Sequence, residues 1–274
     1  MTGTGTQSDP FVPITLTEFI EAVGTSGAYV ALDRDIDAAE DPNYGGELTS
    51  SIALQCTEMD GSDHVVSGIT VRADSFFKQT VSSSCRLKNV VMRDMCHKRN
   101  GNNYTLVGSG GNYTVYDHVR LAIKIDASGG WLDFGGYITL TYSAFAIECT
   151  GSGSFNRAFF TTCSLDSSTV YIKNPASGFL LQFNNWHTRN AFIFDAPRGS
   201  LTLTSRANSP KDLSYYAIVN CNSDTVVNCG DSGTTCLVAT DDDTVAVTLA
   251  NGWTRCSIDQ LKDKNYLSSV GWLP

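Results

Sequence analysis

The sequence is poor in charge, and positive charge is the scarcer kind. Only 17% of the 274 residues are charged, and 19 Lys and Arg stand against 28 Asp and Glu, which leaves a formal net charge of −9. No cluster of Lys and Arg occurs that could displace the counterions of a nucleic acid or bind an anionic membrane surface. We therefore expect neither nucleic acid nor a membrane among the partners.

Long apolar runs are also missing. No stretch approaches the roughly 18 consecutive apolar residues that a membrane-spanning helix needs. The first residues, MTGTGTQSDPFVP, have neither the basic part nor the apolar part of a secretory signal. These absences predict a chain that is made in a cytoplasm and is not exported by the general pathway.

The usual cysteine and histidine patterns of metal sites are absent, although nine cysteines are present. No CxxC pair occurs, which excludes a zinc ribbon or a thioredoxin-like site. The four histidines show no metal-ligand spacing. Four cysteines follow an apolar run, in the contexts AIECTG, FTTCSL, IVNCNS and VVNCGD. These positions favour small, buried, reduced thiols at strand ends over scattered disulfides.

The chain is instead rich in short strand-like runs. Ten apolar or β-branched runs follow one another from residue 158 onward, with starts about 8–16 residues apart, as strands separated by turns require. Earlier strands are expected at residues 28–33, 51–56, 64–73 and 85–94, and residues 95–111 are expected to form a polar loop. The prolines lie outside the predicted strand interiors, which supports the assignment.

One amphipathic helix is predicted ahead of the strands, over residues 15–24. Thr15 and Glu18 form a capping box before it, and Gly24 ends it. Such a helix can cover the open apolar end of a stack of strands. Its apolar stripe repeats at helical spacing, as Leu16, Phe19, Ile20 and Val23.

These features predict an all-β fold, a single-stranded right-handed parallel β-helix with an N-terminal capping helix. The early strands repeat at offsets of roughly 17–22 residues, close to the period range of solenoids. Tight NG and DG hairpin turns are scarce, and Cys and Asn recur at equivalent strand ends, as stacked ladders require. A β-sandwich or jelly roll is the alternative.

Three segments are distinguished. Residues 1–14 form an N-terminal arm, residues 15–256 the β-helix domain with its capping helix at 15–24, and residues 257–274 a C-terminal capping tail. The tail has a second capping box, Ser257 with Gln260, and its aromatic end is expected to fold back onto the body. The arm is expected to lie against its own body or a neighbouring chain. The predicted partner-docking residues in the arm and tail are Phe11, Val12, Pro13, Trp272 and Leu273.

Both ends of the chain resemble known proteins. The opening TEFIEAVGTSGAYVALD, residues 17–33, resembles the start of pectate-lyase-like β-helix proteins, where a capping helix leads into the first coil. The ending DQLKDKNYLSSVGW, residues 259–272, resembles the closing segment of β-helical proteins encoded by phages and prophages of gut bacteria. The resemblance implies a virion component such as a capsid decoration, a fibre or a tail-associated protein, synthesised in the host cytoplasm. It also implies a homo-oligomer, with a trimer favoured, and other virion proteins as partners.

Catalytic chemistry has few candidates. A polysaccharide lyase or hydrolase needs clustered carboxylates, which hold calcium or act as acid and base. Three groups were considered, and each is more typical of turns and surface charge. We therefore name no catalytic residue, no metal ligand and no cofactor, and calcium enters only if the protein is a lyase. The groups are Arg93, Asp94 and His97; Asp117, His118 and Arg120; and Asp241, Asp242 and Asp243.

Three functional hypotheses follow. The favoured one is a non-catalytic virion structural protein that contacts the host surface. The second is a carbohydrate-binding adhesin of a cell-surface glycan, which would line exposed aromatic side chains along one side of the solenoid; Trp186 is the sugar-stacking candidate. The third is the lyase or hydrolase, which would need two convergent carboxylates about 5–10 Å apart in a groove.

Overall fold

Parallel strand pairing dominates the architecture of the computed structural model. All the pairs between its named strands are parallel, and the strands stack as the coils of a β-solenoid. The predicted parallel β-helix is therefore confirmed, and a sandwich or jelly roll is excluded. The structure describes residues 1–79, 84–99, 103–108, 114–126, 130–134, 138–150, 155–160, 163–175, 178–183, 187–188, 190–195, 199–205, 213–221, 224–230 and 235–272.

The elements, numbered in chain order, are α1 (Leu16–Val23), β1 (Tyr29–Ala31), β2 (Ile36–Asp37), β3 (Ile52–Ala53), β4 (Glu58–Asp60), β5 (Val65–Ser67), β6 (Thr70–Arg72), β7 (Ser75–Lys78), β8 (Cys85–Lys98), β9 (Asn103–Gly108), β10 (Thr114–Asp126), β11 (Gly130–Asp133), β12 (Ile138–Thr141), β13 (Ala144–Cys149), β14 (Phe155–Phe160), β15 (Cys163–Asp166), β16 (Thr169–Lys173), β17 (Phe179–Phe183), β18 (His187–Thr188), β19 (Ala191–Asp195), β20 (Ser200–Ser205), β21 (Leu213–Val219), β22 (Val226–Gly230), β23 (Thr235–Thr240), β24 (Ala246–Thr248), β25 (Trp253–Ser257), α2 (Ile258–Lys262) and α3 (Lys264–Ser269).

Two sheets wrap the core. Sheet A runs through β1, β4, β8, β10, β13, β16, β19, β21, β23 and β25, with short strands such as β12, β15 and β18 on a second limb. Sheet B runs through β3, β7, β9, β11, β14, β17, β20, β22 and β24. The long strands β8 and β10 belong to both limbs of sheet A, and later coils divide that length into two strands around a corner.

The coils are longer than the sequence spacing predicts. Arg120 pairs with Ala144, and Ala144 with Thr169, so a coil takes about 24 residues here. In the first coils, Tyr29 pairs with Glu58, which is a longer step. The predicted offsets of roughly 17–22 residues were wrong, because the early runs 51–56 and 64–73 lie in different sheets.

The core is built from ladders in which equivalent residues of successive coils lie side by side. Burial of these apolar surfaces is the main favourable contribution to the fold. Phe192 stacks on Tyr216 with ring centroids 5.2 Å apart, and Tyr216 stacks on Trp253 at 4.9 Å. One buried ladder in sheet A reads Leu121, Phe145, Val170, Phe192, Tyr216 and Val238.

The N-terminal end of the core is closed by α1 and by the arm. The predicted helix is confirmed, with Thr15 accepting the Glu18 backbone N–H and Gly24 ending it. The predicted capping box is only half formed, because the Glu18 carboxylate accepts the Ile14 N–H and pairs with the amino terminus. The arm pairs with β1 through Phe11, whose N–H donates to the Tyr29 carbonyl at 2.9 Å. It therefore covers the free edge of the first coil.

The C-terminal tail packs on the outside of the last coils. Ser257 and Gln260 form the predicted capping box, with both hydrogen bonds present. Leu261 and Leu267 cover an outward-facing patch of sheet A that includes Ala239. Trp272 folds back against Tyr215, at a ring-centroid distance of 5.2 Å, as the sequence predicts.

Residues 95–111 were wrongly expected to be a loop. Strand β8 continues to Lys98, and β9 follows at Asn103–Gly108. The alternation of buried and outward residues persists here, but His97 takes an inward position between Phe76 and Tyr104. A polar residue facing the core hides the period-two pattern on which strand prediction relies.

The thiols are reduced, as predicted. All eight described cysteines are free, and most are buried. The Sγ atoms of Cys56 and Cys85 lie 3.5 Å apart in the core, and this contact together with burial raises the pKa of Cys85 well above its usual range. Within the part of the chain that the structure describes, no helix is long and apolar enough to cross a membrane.

A buried polar ladder holds the corner between the two limbs of sheet A. The Ser143 hydroxyl accepts the Val119 backbone N–H at 3.0 Å, and the Ser143 N–H donates to the Ser168 hydroxyl at 3.1 Å. Next, the Ser168 N–H donates to the Asn190 amide oxygen at 3.0 Å. Asn190 in turn donates to the Leu165 carbonyl at 3.0 Å. Side chains thus provide partners for backbone groups that the turn would otherwise leave unpaired in the core.

Substituting Asn190 by Ala tests this ladder. The change leaves the Ser168 N–H and the Leu165 carbonyl buried without these partners, so we expect a loss of about 1–3 kcal/mol in the free energy of unfolding. Urea denaturation followed by circular dichroism measures it. The control is Ser167→Ala at the exposed side of the same corner, which should stay within about 0.5 kcal/mol of the parent. Equal midpoints for both variants would show that the ladder contributes nothing.

Candidate functional site

The outer face of sheet A carries a continuous groove across β8, β10, β13 and β16. Three adjoining hollows of about 580, 220 and 280 Å³ make up this outer groove. Neighbouring hollows share lining residues, so they form one channel along the strand direction. From His118 to Lys124 on β10 the channel is about 20 Å long, at about 3.3 Å per residue.

Small side chains create the floor of the outer groove. Outward positions of successive coils align, so Ala122 lies beside Ala146, and Ala144 beside Thr169. Farther along, the same outward columns carry Ile193 and Tyr215, and there the helices α2 and α3 cover them. The groove is therefore the stretch of this face that the tail does not cover.

An aromatic ridge borders one side of the outer groove. Tyr142 is 58% exposed, and its ring lies 5.1 Å from the His118 ring, measured between centroids. Both residues occupy the corner with positive φ, at 47° for Tyr142 and 56° for His118, which turns their side chains outward. The sequence analysis missed Tyr142, because a left-handed residue at a strand end is not visible in hydrophobic periodicity.

A charged network fixes His118 in place. Its Nδ1 lies 2.7 Å from the Asp117 carboxylate, which also binds Arg86 on the neighbouring coil. Partial burial works to raise the pKa of Asp117, but the hydrogen bonds from Arg86 and His118 hold it below its ordinary value. Asp117 and His118, predicted as one group, are thus in direct contact.

Arg120 projects from the floor of the outer groove itself. It lies between Val91 and Ala144 in the register, and the guanidinium has no carboxylate within ion-pair distance among the described residues. Other described arginines, such as Arg72 with Glu47, are paired with carboxylates. A cationic hydrogen-bond donor is therefore left to face a ligand.

The opposite rim carries charges of alternating sign. Register places Lys124 beside Glu148, Glu148 beside Lys173, and Lys173 beside Asp195. The Lys173 ammonium lies 2.8 Å from the Glu148 carboxylate. The Tyr171 hydroxyl, whose pKa is raised by burial and by the neighbouring Asp195 carboxylate, donates to that carboxylate.

The other predicted groups do not converge. Arg93 and Asp94 lie 3.9 Å apart at the edge of the outer groove, whereas His97 is buried in the core and its Nε2 bonds the Ala73 carbonyl at 3.0 Å. Burial lowers the pKa of His97. His97 is therefore separated from the other two members of its predicted group.

The three consecutive aspartates build a turn. Asp241 accepts the backbone N–H groups of Asn220 and Cys221, and Asp242 accepts the Thr244 N–H at 2.8 Å. Arg255 closes the same turn by donating to the carbonyls of Asp243 and Val245. In the described part of the chain, no group of three potential ligands is arranged to hold a metal ion.

The predicted docking residues lie against the protein's own body. Phe11 and Val12 are partly exposed, Pro13 is buried, and Trp272 packs on the last coils. Leu273 and the predicted sugar-stacking residue Trp186 lie outside the described residues.

Searches with protein-family models, curated proteins and solved structures find no match to the chain. Its class is therefore defined by its own architecture. The chain is a parallel β-helix protein with a closed N-terminal end and an open outer groove.

The network at the ridge predicts a dependence of stability on acid. The folded pKa of Asp117 lies below its unfolded value of about 3.9, so its stabilisation is present above about pH 4 and is lost as pH falls through the folded pKa. Asp117→Asn should remove this component. We expect the free energy of unfolding to fall less steeply between pH 4 and 2 in the variant than in the parent, as measured by urea denaturation at each pH. Asp259→Asn, at an exposed pair with Lys262, should keep the parent slope.

Proposed function

We propose that this chain is a non-catalytic structural protein of a bacteriophage virion, and that its outer groove binds an extended glycan of the host surface. The observation that carries the proposal is the groove bordered by the Tyr142–His118 ridge. Its floor is small and apolar, and its rims carry hydrogen-bonding groups. An extended glycan offers both apolar ring faces and hydroxyl groups to such a surface.

The ridge and the floor have complementary tasks in this proposal. The exposed Tyr142 ring offers a face on which a sugar ring can stack, and His118 braces it from the side. Arg120 donates from the floor to a hydroxyl or carboxylate of the ligand. The Lys173–Glu148 pair provides both donors and acceptors at the far rim.

The state of the carboxylates supports binding without cleavage. A glycosidase needs one carboxylic acid and one carboxylate that face the same bond. Around the outer groove, Asp117 is bound to Arg86 and His118, and Glu148 is paired with Lys173. Protonation of either group would break an existing ion pair, which makes each a poor general acid.

The virion assignment rests on the resemblance of residues 17–33 and 259–272 to β-helix proteins of phages and prophages. The rigid stack of coils suits a structural component, since each coil is bonded to the next along the whole body. Other virion proteins are the proposed partners, and a homotrimer is the proposed state in solution.

Glycan binding is tested with two variants of the outer groove. Tyr142→Ala removes the stacking face, and Ala146→Trp fills the channel without removing any polar group. We expect a bacterial O-antigen and capsular oligosaccharide array to show saturable binding by the parent. Tyr142→Ala should weaken it about tenfold, which corresponds to about 1.4 kcal/mol, and Ala146→Trp should abolish it.

The matched controls lie on sheet B. Trp131→Ala removes an exposed aromatic ring, and Ala246→Trp adds a bulky ring to an exposed strand, and both should bind as the parent does. Circular dichroism confirms that all four variants fold. An array without saturable binding, or equal losses in the groove and control variants, would refute glycan binding at this groove.

The oligomeric state is tested separately, by multi-angle light scattering combined with small-angle X-ray scattering. We expect a particle of three chain masses that keeps this mass on tenfold dilution, because virion components of this shape assemble through lasting interfaces. A monomer at all concentrations would contradict the trimer and weaken the virion assignment.

A further inference from the structure

A second cavity, of about 660 Å³, lies at the first coils and is distinct from the outer groove. It opens beside β7 and β9 on the sheet B side of the molecule. Hydroxyl-bearing side chains dominate its wall, and the cavity size is typical of sites for small molecules. The hydroxyl residues are Thr49, Ser50, Ser51, Ser75 and Thr105.

The deepest part of the cavity contains hydroxyls and no apolar side chain. Ser75 is buried, and its Oγ lies 3.0 Å from the Ser51 Oγ. Gly108 completes the floor, and a Cβ at this position would lie 2.6 Å from the Ser75 Oγ. The absence of a side chain at Gly108 therefore keeps the hydroxyl pair accessible from the cavity.

Two cationic side chains line the same cavity. Lys78 is exposed and, among the described residues, has no carboxylate within ion-pair distance. Arg99 lies 3.1 Å from Asp74, whose side chain is 91% exposed, so this carboxylate sits at the mouth toward solvent. In a protein with a net charge of −9, a cationic group left beside a set of hydroxyls is a specific feature rather than a general one.

We propose that this cavity binds a phosphorylated sugar, with the phosphate group held between Lys78, Arg99 and the serine hydroxyls. Each of these groups can donate to a phosphate oxygen, and the bonds to a charged acceptor are the stronger kind. The volume exceeds what a phosphate ion alone would fill, which leaves room for the sugar beside Thr49 and Thr105. This site is independent of the outer groove and of the function proposed for it.

Isothermal titration calorimetry with glucose 6-phosphate, inorganic phosphate and glucose tests the site on the full chain. We expect glucose 6-phosphate to bind with a 1:1 stoichiometry, inorganic phosphate to compete with it at least tenfold more weakly, and glucose to give no heat. Lys78→Met should weaken glucose 6-phosphate at least tenfold. Gly108→Ala should also weaken it, because the added methyl group reaches the Ser75 hydroxyl.

Lys264→Met, on α3 and far in sequence from the cavity, is the matched loss of one positive charge and should bind as the parent does. The proposal is overturned if none of the three compounds binds, or if Lys78→Met and Lys264→Met are affected equally. Binding of glucose as tight as that of its phosphate would overturn the phosphate assignment. Equally tight inorganic phosphate would overturn the sugar assignment. Failure of the oligosaccharide array at the outer groove would leave these measurements unaffected.

Discussion

The parallel hydrogen bonding of each coil to the next is the constraint on which the rest of the structure depends, and the corner of sheet A is where it is hardest to maintain. There the chain turns through left-handed residues, and the backbone of one coil moves away from that of its neighbour. Ser143, Ser168 and Asn190 restore the connection with buried side-chain hydrogen bonds. Because these partners keep the coils in register, equivalent residues remain side by side across the whole body.

Register also creates the surface sites. An outward column of small residues becomes a channel only because Ala122 and Ala146 are adjacent in space, although 24 positions separate them in the chain. The same alignment places Tyr142 next to His118 and Lys173 next to Glu148. Each of these contacts joins two coils, so the binding surface belongs to the stack and not to any single loop. This arrangement makes the outer groove as rigid as the core beneath it.

The repeated apolar runs were sufficient to predict the strands, the parallel β-helix and both capping segments, since a stacked core demands inward apolar residues in every coil. The coil length was not accessible from those runs, because a run does not reveal which sheet it enters. His97 disguised a continuing strand, because a buried imidazole interrupts the apolar pattern while satisfying it structurally. Tyr142, Arg120 and the cavity near Gly108 depend on lateral neighbours and backbone angles, which periodicity along the chain does not encode.

The two ends of the solenoid are unequal, since the arm and α1 close the first coil whereas Arg255 only ties down the last turn. The stack therefore has a fixed origin. Neighbouring strands lie about 4.8 Å apart, so every outward side chain stands at a whole number of such steps from the N-terminal cap. Gain or loss of one complete coil would shift everything beyond it by one step and leave the local geometry of each site unchanged. The molecule in this sense is a ruler, and the height at which it presents a surface site is set by counting coils.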